Sequence, residues 1–508
     1  MMFKRLIILI LVSLLLVSCT SKNEETKTDL GLNRVFYEIF VGSFSDSNKD
    51  GIGDLKGIIN RLDYLEELGI NGIWLTPIFE SDSYHKYDVN DYYKIDSDFG
   101  TMDDLKLLID KCHEKDIYII IDMVLNHTSD NNQWFKDFKQ AQINHDEKNK
   151  YYDYYSYTNE NELDYSRVFY RIDNTENFYE ANFSRNMPEL NFNNANLRNE
   201  LLDIAKYYLD LGVDGFRFDA AKYIYLNNRE QTIDFWRWYC DSLRNYKNDI
   251  YLISEVWSSN NEIRKYSEIM NCFNFEFSQD NGYIANAAKG NNINRYIEYV
   301  DTLQKVLKGY RKDGMIVPFI SNHDMDRSSE YLTMNDYSAY MAANLYLLLP
   351  GSPFIYYGEE IGLKGLRGNS NTDANRRLAM YWEDGDSVSN PEGADYPIFL
   401  QANGSVKKQD KESESLLNHY RKVLNIRNKY PAIAMGDYTK LSFSKNNLGG
   451  FKIDYNDETI YLIHNTSNQD ITIENDQFTK ILDYIGHNKP KLNGNKLTVK
   501  AYSSIILE

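Results

Sequence analysis

The sequence predicts an α/β protein: a (β/α)8 TIM barrel with an inserted subdomain after strand three and a C-terminal all-β sandwich domain. Three patterns carry this expectation. Strand-like apolar runs alternate with helix-spaced segments in eight units over residues 35–430. The runs are apolar nearly throughout, as in I-Y-I-I-I-D-M-V-L-N at 117–126, the composition of parallel strands covered on both faces. Beyond Pro431 the chain changes to short strands alone.

The first strand is expected at 35–44. A helix follows at 55–68, where Leu55, Ile58, Ile59, Leu62, Leu65 and Leu68 recur at helical spacing. Strand two falls at 70–77, a helix at 102–114 and strand three at 117–126. Residues 127–191 are rich in Tyr and Asn with no clear period, and a stretch that long reads as an inserted subdomain rather than a loop. A helix at 196–211 leads to strand four at 213–219. Helix 231–246, strand five at 250–257, strand six at 272–277 and helix 293–307 come next. Strand seven at 315–323, helix 338–349, strand eight at 352–357 and a last helix at 413–428 complete the barrel domain, 35–430. The second domain, 431–508, has strands at 438–443, 450–455, 459–465, 470–473 and 497–506.

The chain of 508 residues is long enough for several domains with ample core. Asp plus Glu (75) exceeds Lys plus Arg (56), a net charge of −19 that argues against nucleic acid or an anionic membrane surface as partner. A neutral substrate is compatible with it. The 42 tyrosines offer aromatic faces for sugar rings or apolar ligands, although Asn, Lys and Ile are frequent too and biased usage explains part of the excess. Lys4 and Arg5 precede an apolar run at 6–17 that is too short for a stable membrane span. With Leu16-Val17-Ser18-Cys19 it resembles a bacterial lipoprotein signal. That resemblance implies a signal peptide at 1–19, lipidation of Cys19, a tether at 20–34 and an exported protein anchored to a membrane by lipid. Cys112, Cys240 and Cys272 have neither disulfide nor metal-site spacing and are expected as buried thiols.

A barrel of this kind keeps its chemistry at the C-terminal ends of its strands. Strand four, G-V-D-G-F-R-F-D at 212–219, brings Arg217 and Asp219 to one face at period two. A charged pair there is costly unless it is paired or used, so it reads either as a structural ion pair or as part of a site. Strand three ends in residues 122–127, strand five in Glu255, and strand seven in Asn322-His323-Asp324. No Cys/His metal set, Ser/His pair with an oxyanion-type turn, or Gly-rich phosphate loop accompanies them. Several carboxylates without a cofactor motif suggest hydrolysis or transfer at an acetal, which needs one acid and one nucleophile.

These residues resemble glycoside hydrolase family 13, the α-amylase family, over about residues 35–430. The matching motifs are D-M-V-L-N-H (122–127), G-F-R-F-D-A-A-K (215–222), S-E-V-W (254–257) and F-I-S-N-H-D (319–324). G-I-N-G-I-W-L-T-P (69–77), M-P-E-L-N (187–191) and G-S-P-F-I-Y-Y-G-E-E-I-G (351–362) also fit, all in the family's order. The resemblance implies Asp219 as nucleophile, Glu255 as general acid and then base, and Asp324 as stabiliser of the oxocarbenium-like transition state. Arg217 is expected to keep Asp219 ionised, and an apolar neighbour to raise Glu255 for acid work. His85, Tyr87, His127, Arg217, Lys222, His323 and Arg377 are implied as substrate-binding residues, with Tyr87 stacking on the sugar and Lys222 on the leaving-group side.

The loop Asp46-x-Asn48-x-Asp50-Gly51-Ile52-Gly53-Asp54 resembles the start of a calcium loop. Side-chain oxygens of Asp46, Asn48, Asp50 and Asp54 with the carbonyl of Ile52 would hold Ca2+, though the closing Glu of an EF-hand is replaced by Gly57; an Asx-rich turn is the alternative. A second calcium near Asn126 is a weaker implication of the same resemblance.

Three departures bear on specificity. Exo-acting α-glucosidases of the family carry an Asp where this chain has Tyr84, which leaves the cleft open at that end. M-P-E-L-N is closest to the M-P-D-L-N of intermediate amylases. Tyr223 replaces a histidine found in many α-amylases. The expected function is an α-amylase, a retaining endo-hydrolase of α-1,4 bonds in starch or maltodextrins, expected as a monomer. An oligosaccharide-acting neopullulanase, α-glucosidase or glucanotransferase is the alternative. A non-catalytic glycan-binding lipoprotein is remote, since Asp219, Glu255 and Asp324 are all present.

Overall fold

The computed structural model describes residues 30–333, 337–369, 372–397 and 402–508. The signal segment, Cys19 and most of the expected tether lie outside them. The tether's last residues are held in place: Arg34 donates to the Asp116 carbonyl at 2.8 Å and stacks 3.5 Å over the Tyr118 ring.

Seven parallel strands form the central sheet: β1 (Phe36–Ile39), β2 (Gly72–Leu75), β3 (Tyr118–Met123), β4 (Gly215–Phe218), β5 (Tyr251–Ser254), β6 (Asn271–Cys272) and β7 (Phe354–Tyr356). Their order is β6-β5-β4-β3-β2-β1-β7. The expected seventh strand does not form a ladder of its own. Its backbone instead bridges the two sheet edges: Asn274 N donates to Val317 O (3.1 Å), and Ser352 N and Phe354 N donate to Ile316 O and Pro318 O (2.9 Å each). Pro318 has no N–H to give, so regular pairing stops there while the ring still closes.

The inside of the ring is filled rather than open. Phe36 on β1 meets Tyr251 on β5 at 4.5 Å and Phe354 at 4.8 Å between ring centroids. Three strands separate β1 from β5 in the sheet, so that contact crosses the interior. Gly72 makes room for it, since a Cβ there would sit 2.6 Å from the Phe36 ring. On the outer face Phe218 packs at 4.7 Å on Trp236 of the helix Arg229–Tyr246. The alternation along β4 therefore sends the phenylalanines out to the helices and Arg217 inward.

Other differences from the expected elements are local. The helix at 55–68 is two, Leu55–Ile59 and Leu62–Leu68. A small antiparallel pair, Phe79–Glu80 with Asp91–Ile95, follows β2 and presents the loop that carries His85 and Tyr87. Residues 127–191 hold the helix Gln133–Ile143 and a three-stranded antiparallel sheet centred on Asn177–Glu180. The end of this stretch returns to the barrel through the bridge between His127 and Glu189.

The C-terminal region packs a five-stranded antiparallel sheet and a three-stranded one around Leu448, Ile463, Phe478, Leu497, Val499, Ile505 and Leu507. The single strand expected at 497–506 is split into Lys496–Val499 and Ser503–Leu507, which join different sheets. The turn between them puts Tyr502 at φ 46°, outside strand geometry.

Candidate active site

Backbone register assembles the site. Asp122 pairs with Arg217 across β3 and β4, and Ser254 pairs with Phe218 across β4 and β5. The next residues, Asp219 and Glu255, therefore leave adjacent strand ends side by side. Asp219 N still donates to Met123 O (3.3 Å) and Glu255 N to Phe218 O (3.0 Å), which fixes both backbones. After Asp219 the chain turns sharply through Ala220 at φ 46°, in the left-handed region uncommon for a residue with a Cβ.

Arg217 is the hub. It is fully buried, and Nη1 donates to both Asp122 oxygens (2.8 and 2.9 Å) and to Asp219 Oδ1 (2.7 Å). Nη2 donates to Glu255 Oε2. The guanidinium lies 5.1 Å from the Trp74 ring centroid, which closes its underside. One buried cation thus serves three carboxyl groups.

Asp324 has its own cations. Arg377 Nη2 donates to Asp324 Oδ1 at 2.8 Å, and His323 Nε2 lies 3.1 Å from Oδ2. His323 Nδ1 faces Glu38 Oε1 at 2.5 Å, and Tyr87 OH lies 2.7 Å from its Nε2. Tyr87 OH also donates to Asp122 Oδ2 (3.0 Å), so the tyrosine links the Arg217 and His323 halves of the site. Its ring is nearly parallel to His323, with 5.6 Å between centroids.

These surroundings separate the carboxyl groups electrostatically. Burial pushes Glu255 up to about 7, the charges of Asp219 and Asp324 add to this, and Arg217 opposes it. Burial likewise raises Asp122 to about 7 against the pull of Arg217. Burial works against the charged form of Asp324 as well, but His323 and then Arg377 hold its carboxyl well below the usual range. Burial disfavours His323 as a cation, yet Asp324 and Glu38 lift it to about 10, so it is imidazolium at neutral pH. Glu255 raised for proton donation while Asp324 is held ionised is the kind of separation by environment that acid/base chemistry uses.

Above these groups opens a cavity of about 800 Å3. Asp219, Glu255, Asp324, His85, Tyr87, His127, Lys222 and Arg377 all line it. Arg217 and His323, expected to bind substrate, do not. Both lie fully buried beneath the floor, with their nitrogens turned to carboxylates. Lys222 Nζ donates to Trp257 O (2.8 Å). His127 Nε2 faces the Tyr87 carbonyl at 3.2 Å, and its buried Nδ1 has no partner. His85 is kept neutral chiefly by burial, its pKa lowered to about 4. Tyr84 accepts from Arg377 Nη1 at 2.9 Å and forms part of the cavity wall.

Glu38 and Asp122 hold the site from below without a role expected from the sequence motifs. Each is a buried acid in an apolar strand, and that signal was present in the sequence. From the inserted region, Met187, which opens the M-P-E-L-N motif, and Phe183, which no sequence pattern announces, also line the cavity.

The loop after β1 is held by its own side chains. Asp46 accepts the amides of Asn48, Lys49 and Gly51 (3.0, 2.6 and 2.9 Å), Asn48 that of Asp50 (2.9 Å), and Asp50 that of Ile52 (2.8 Å). Gly51 takes φ 98° at the turn. Asp54 caps the helix Leu55–Ile59 through Gly57 N (2.7 Å) and reaches back into the loop to accept Ser47 N (2.8 Å). The donor set is all oxygen, which suits a hard cation. Among the described residues no three His, Cys, Asp or Glu side chains form a metal-holding cluster.

A parallel β/α ring with acid, nucleophile-type and cation-paired carboxylates at its strand ends defines a glycoside-cleaving enzyme. The model of the alpha-amylase catalytic domain matches residues 38–436, and the chain belongs to that family, glycoside hydrolase family 13. It is 36% identical over 479 residues to Alpha-amylase 3 of Dictyoglomus thermophilum, covering 94% of this chain and 93% of that one. It is 29% identical over 450 residues to a 4-alpha-glucanotransferase of Thermotoga neapolitana, covering 86% and 97%. Among solved structures, Eubacterium rectale Amy13B superimposes with a TM-score of 0.88 at 34% identity, covering 94% of this chain and 96% of that one.

Proposed function

We propose that the protein is an α-amylase that cleaves internal α-1,4-glucosidic bonds of starch or maltodextrins with retention of configuration. The observation that carries the reading is the shared guanidinium: Asp219 and Glu255 are bonded to neighbouring nitrogens of Arg217 at the floor of an open cavity. That arrangement favours closely spaced carboxyls, the about 5–5.5 Å class of retaining enzymes. Asp219 attacks the anomeric carbon while Glu255 passes its proton to the leaving oxygen. The bond to the leaving sugar breaks as the bond from Asp219 forms, giving a covalent glycosyl-enzyme. Glu255, now ionised, takes a proton from water, which displaces Asp219. Asp324, held ionised, stabilises positive charge at the ring in both steps.

The endo assignment is supported by Tyr84 in place of a terminal-sugar carboxylate and by the likeness to an α-amylase over nearly the whole chain. Incubation with a starch whose non-reducing ends are blocked tests it. New reducing ends and falling viscosity are expected; reaction only with short, free-ended oligosaccharides would favour a glucosidase or glucanotransferase.

We also propose that Asp46, Asn48, Asp50, Asp54 and the Ile52 carbonyl hold Ca2+, Asp54 also capping the helix that follows the loop. The ion would serve as a structural brace. Calcium at a hundredfold excess over its Kd is expected to add about 2.7 kcal/mol of stability. The response should disappear with chelator and in Asp50→Ala, and an unfolding temperature indifferent to calcium would refute the site.

The N-terminus is proposed as a lipid anchor on the strength of Lys4, Arg5, the apolar run and Leu16-Val17-Ser18-Cys19. Cys19→Ala is expected to move the protein from the membrane fraction to the soluble one; unchanged membrane association would refute lipidation at Cys19.

A further inference from the structure

We infer that Arg376 is a positioning residue for Asp324, fixing from the loop after β7 a backbone that the sheet does not hold. The inference rests on the proposed role of Asp324 in stabilising charge on the sugar ring. The three site carboxylates are not supported alike. Asp219 and Glu255 follow strands whose neighbours accept their amides, so the sheet fixes them. Asp324 follows the segment that makes no ladder of its own. Gln279 N still donates to Ile320 O (3.0 Å), but among the described residues no backbone amide of a neighbouring strand reaches residues 321–324.

Side chains take over there. Asn322 Oδ1 accepts from Asp324 N (3.0 Å), and Arg377 Nε donates to His323 O (3.0 Å). Arg376 Nη1 donates to Asp324 O (2.8 Å). Two consecutive arginines thus grip the carbonyls on either side of the Asp324 Cα. Arg376 is itself fastened at both ends. Its own carbonyl accepts from Arg327 Nε and from Tyr356 OH on β7 (3.0 Å each). Its guanidinium also donates from Nε to Asp326 Oδ1 (2.8 Å) and from Nη1 to Asp373 Oδ1 (2.9 Å). Three acceptors fix the orientation of the planar fork, which a single ammonium could not reproduce. Arg376 does not line the catalytic cavity, so it acts on the sugar through Asp324. A carboxylate that stabilises developing charge must be in place before the reaction, and a misplacement of about 1 Å costs on the order of 100-fold.

The test measures kcat and KM for maltoheptaose and the Ki of acarbose, whose unsaturated ring and amine imitate the flattened, cationic sugar. Arg376→Ala should lower kcat about 10- to 100-fold, change KM by less than about threefold and raise the acarbose Ki about tenfold. Arg376→Lys keeps one donor for the Asp324 carbonyl, so it should lose about threefold in kcat and raise Ki by about the same factor. It carries the comparison if the alanine variant does not fold. Incomplete folding alone reduces the amount of active enzyme and leaves Ki and KM where they were. A fall in kcat with unchanged Ki, or no change in either, would overturn the inference. Asp324→Asn separates the two failures. If it leaves Ki unchanged, the role of Asp324 is wrong; if it raises Ki while the Arg376 variants do not, only the positioning role falls.

Discussion

Glu255→Gln is expected to lower kcat on amylose by about 10^2–10^4-fold, the range removed with a positioned general acid. Glutamine keeps the shape and can still accept from Arg217, so the fold should be unchanged by circular dichroism. What it lacks is a proton to give the leaving oxygen. In the wild type that proton is present because burial holds Glu255 near 7. The carboxyl is protonated below that pH and loses its proton as pH rises through it, so kcat/KM should fall on the alkaline side with an apparent pKa of about 7. Asp122 titrates in the same range, and the limb belongs to the coupled pair. The residual activity of Glu255→Gln should lack this limb. Full activity in the variant would refute the assignment of the acid.

Arg217→Met is expected to destabilise the folded protein by about 3–5 kcal/mol, the cost of removing one partner from a buried ionic cluster. Methionine fills much of the space but leaves Asp122, Asp219 and Glu255 facing one another without their shared cation. The loss should be smaller at pH 5.5 than at pH 8, because protonating carboxyls relieves the repulsion. Denaturant unfolding at the two pH values measures it. A change below about 1 kcal/mol, or one that does not shrink in acid, would show that the guanidinium is not the electrostatic hub.

The barrel was legible because parallel strands buried on both faces must be apolar throughout, and a charge in one is conspicuous. Arg217, Asp219, Glu255 and Asp324 stood out for that reason, and strand ends are fixed by register. Strand seven was overread: Pro318 interrupts an otherwise strand-like run, and its carbonyl serves the ring while its nitrogen cannot. The hairpin after β2 and the sheet within residues 127–191 were not seen, since short strands half open to solvent carry little apolar period. Motifs name residues but not depth, so the full burial of Arg217 and His323 was not legible in the sequence. Only the structure shows Glu38 and Asp122 closing off their polar atoms from below.

The central claim, internal cleavage with Asp219 as nucleophile, is tested most directly by the anomeric configuration of the first products released from end-blocked maltodextrin, followed by proton NMR from the earliest turnover. New reducing ends in the α configuration, relaxing later to the equilibrium mixture, are predicted. Products that appear first as β-anomers would contradict it.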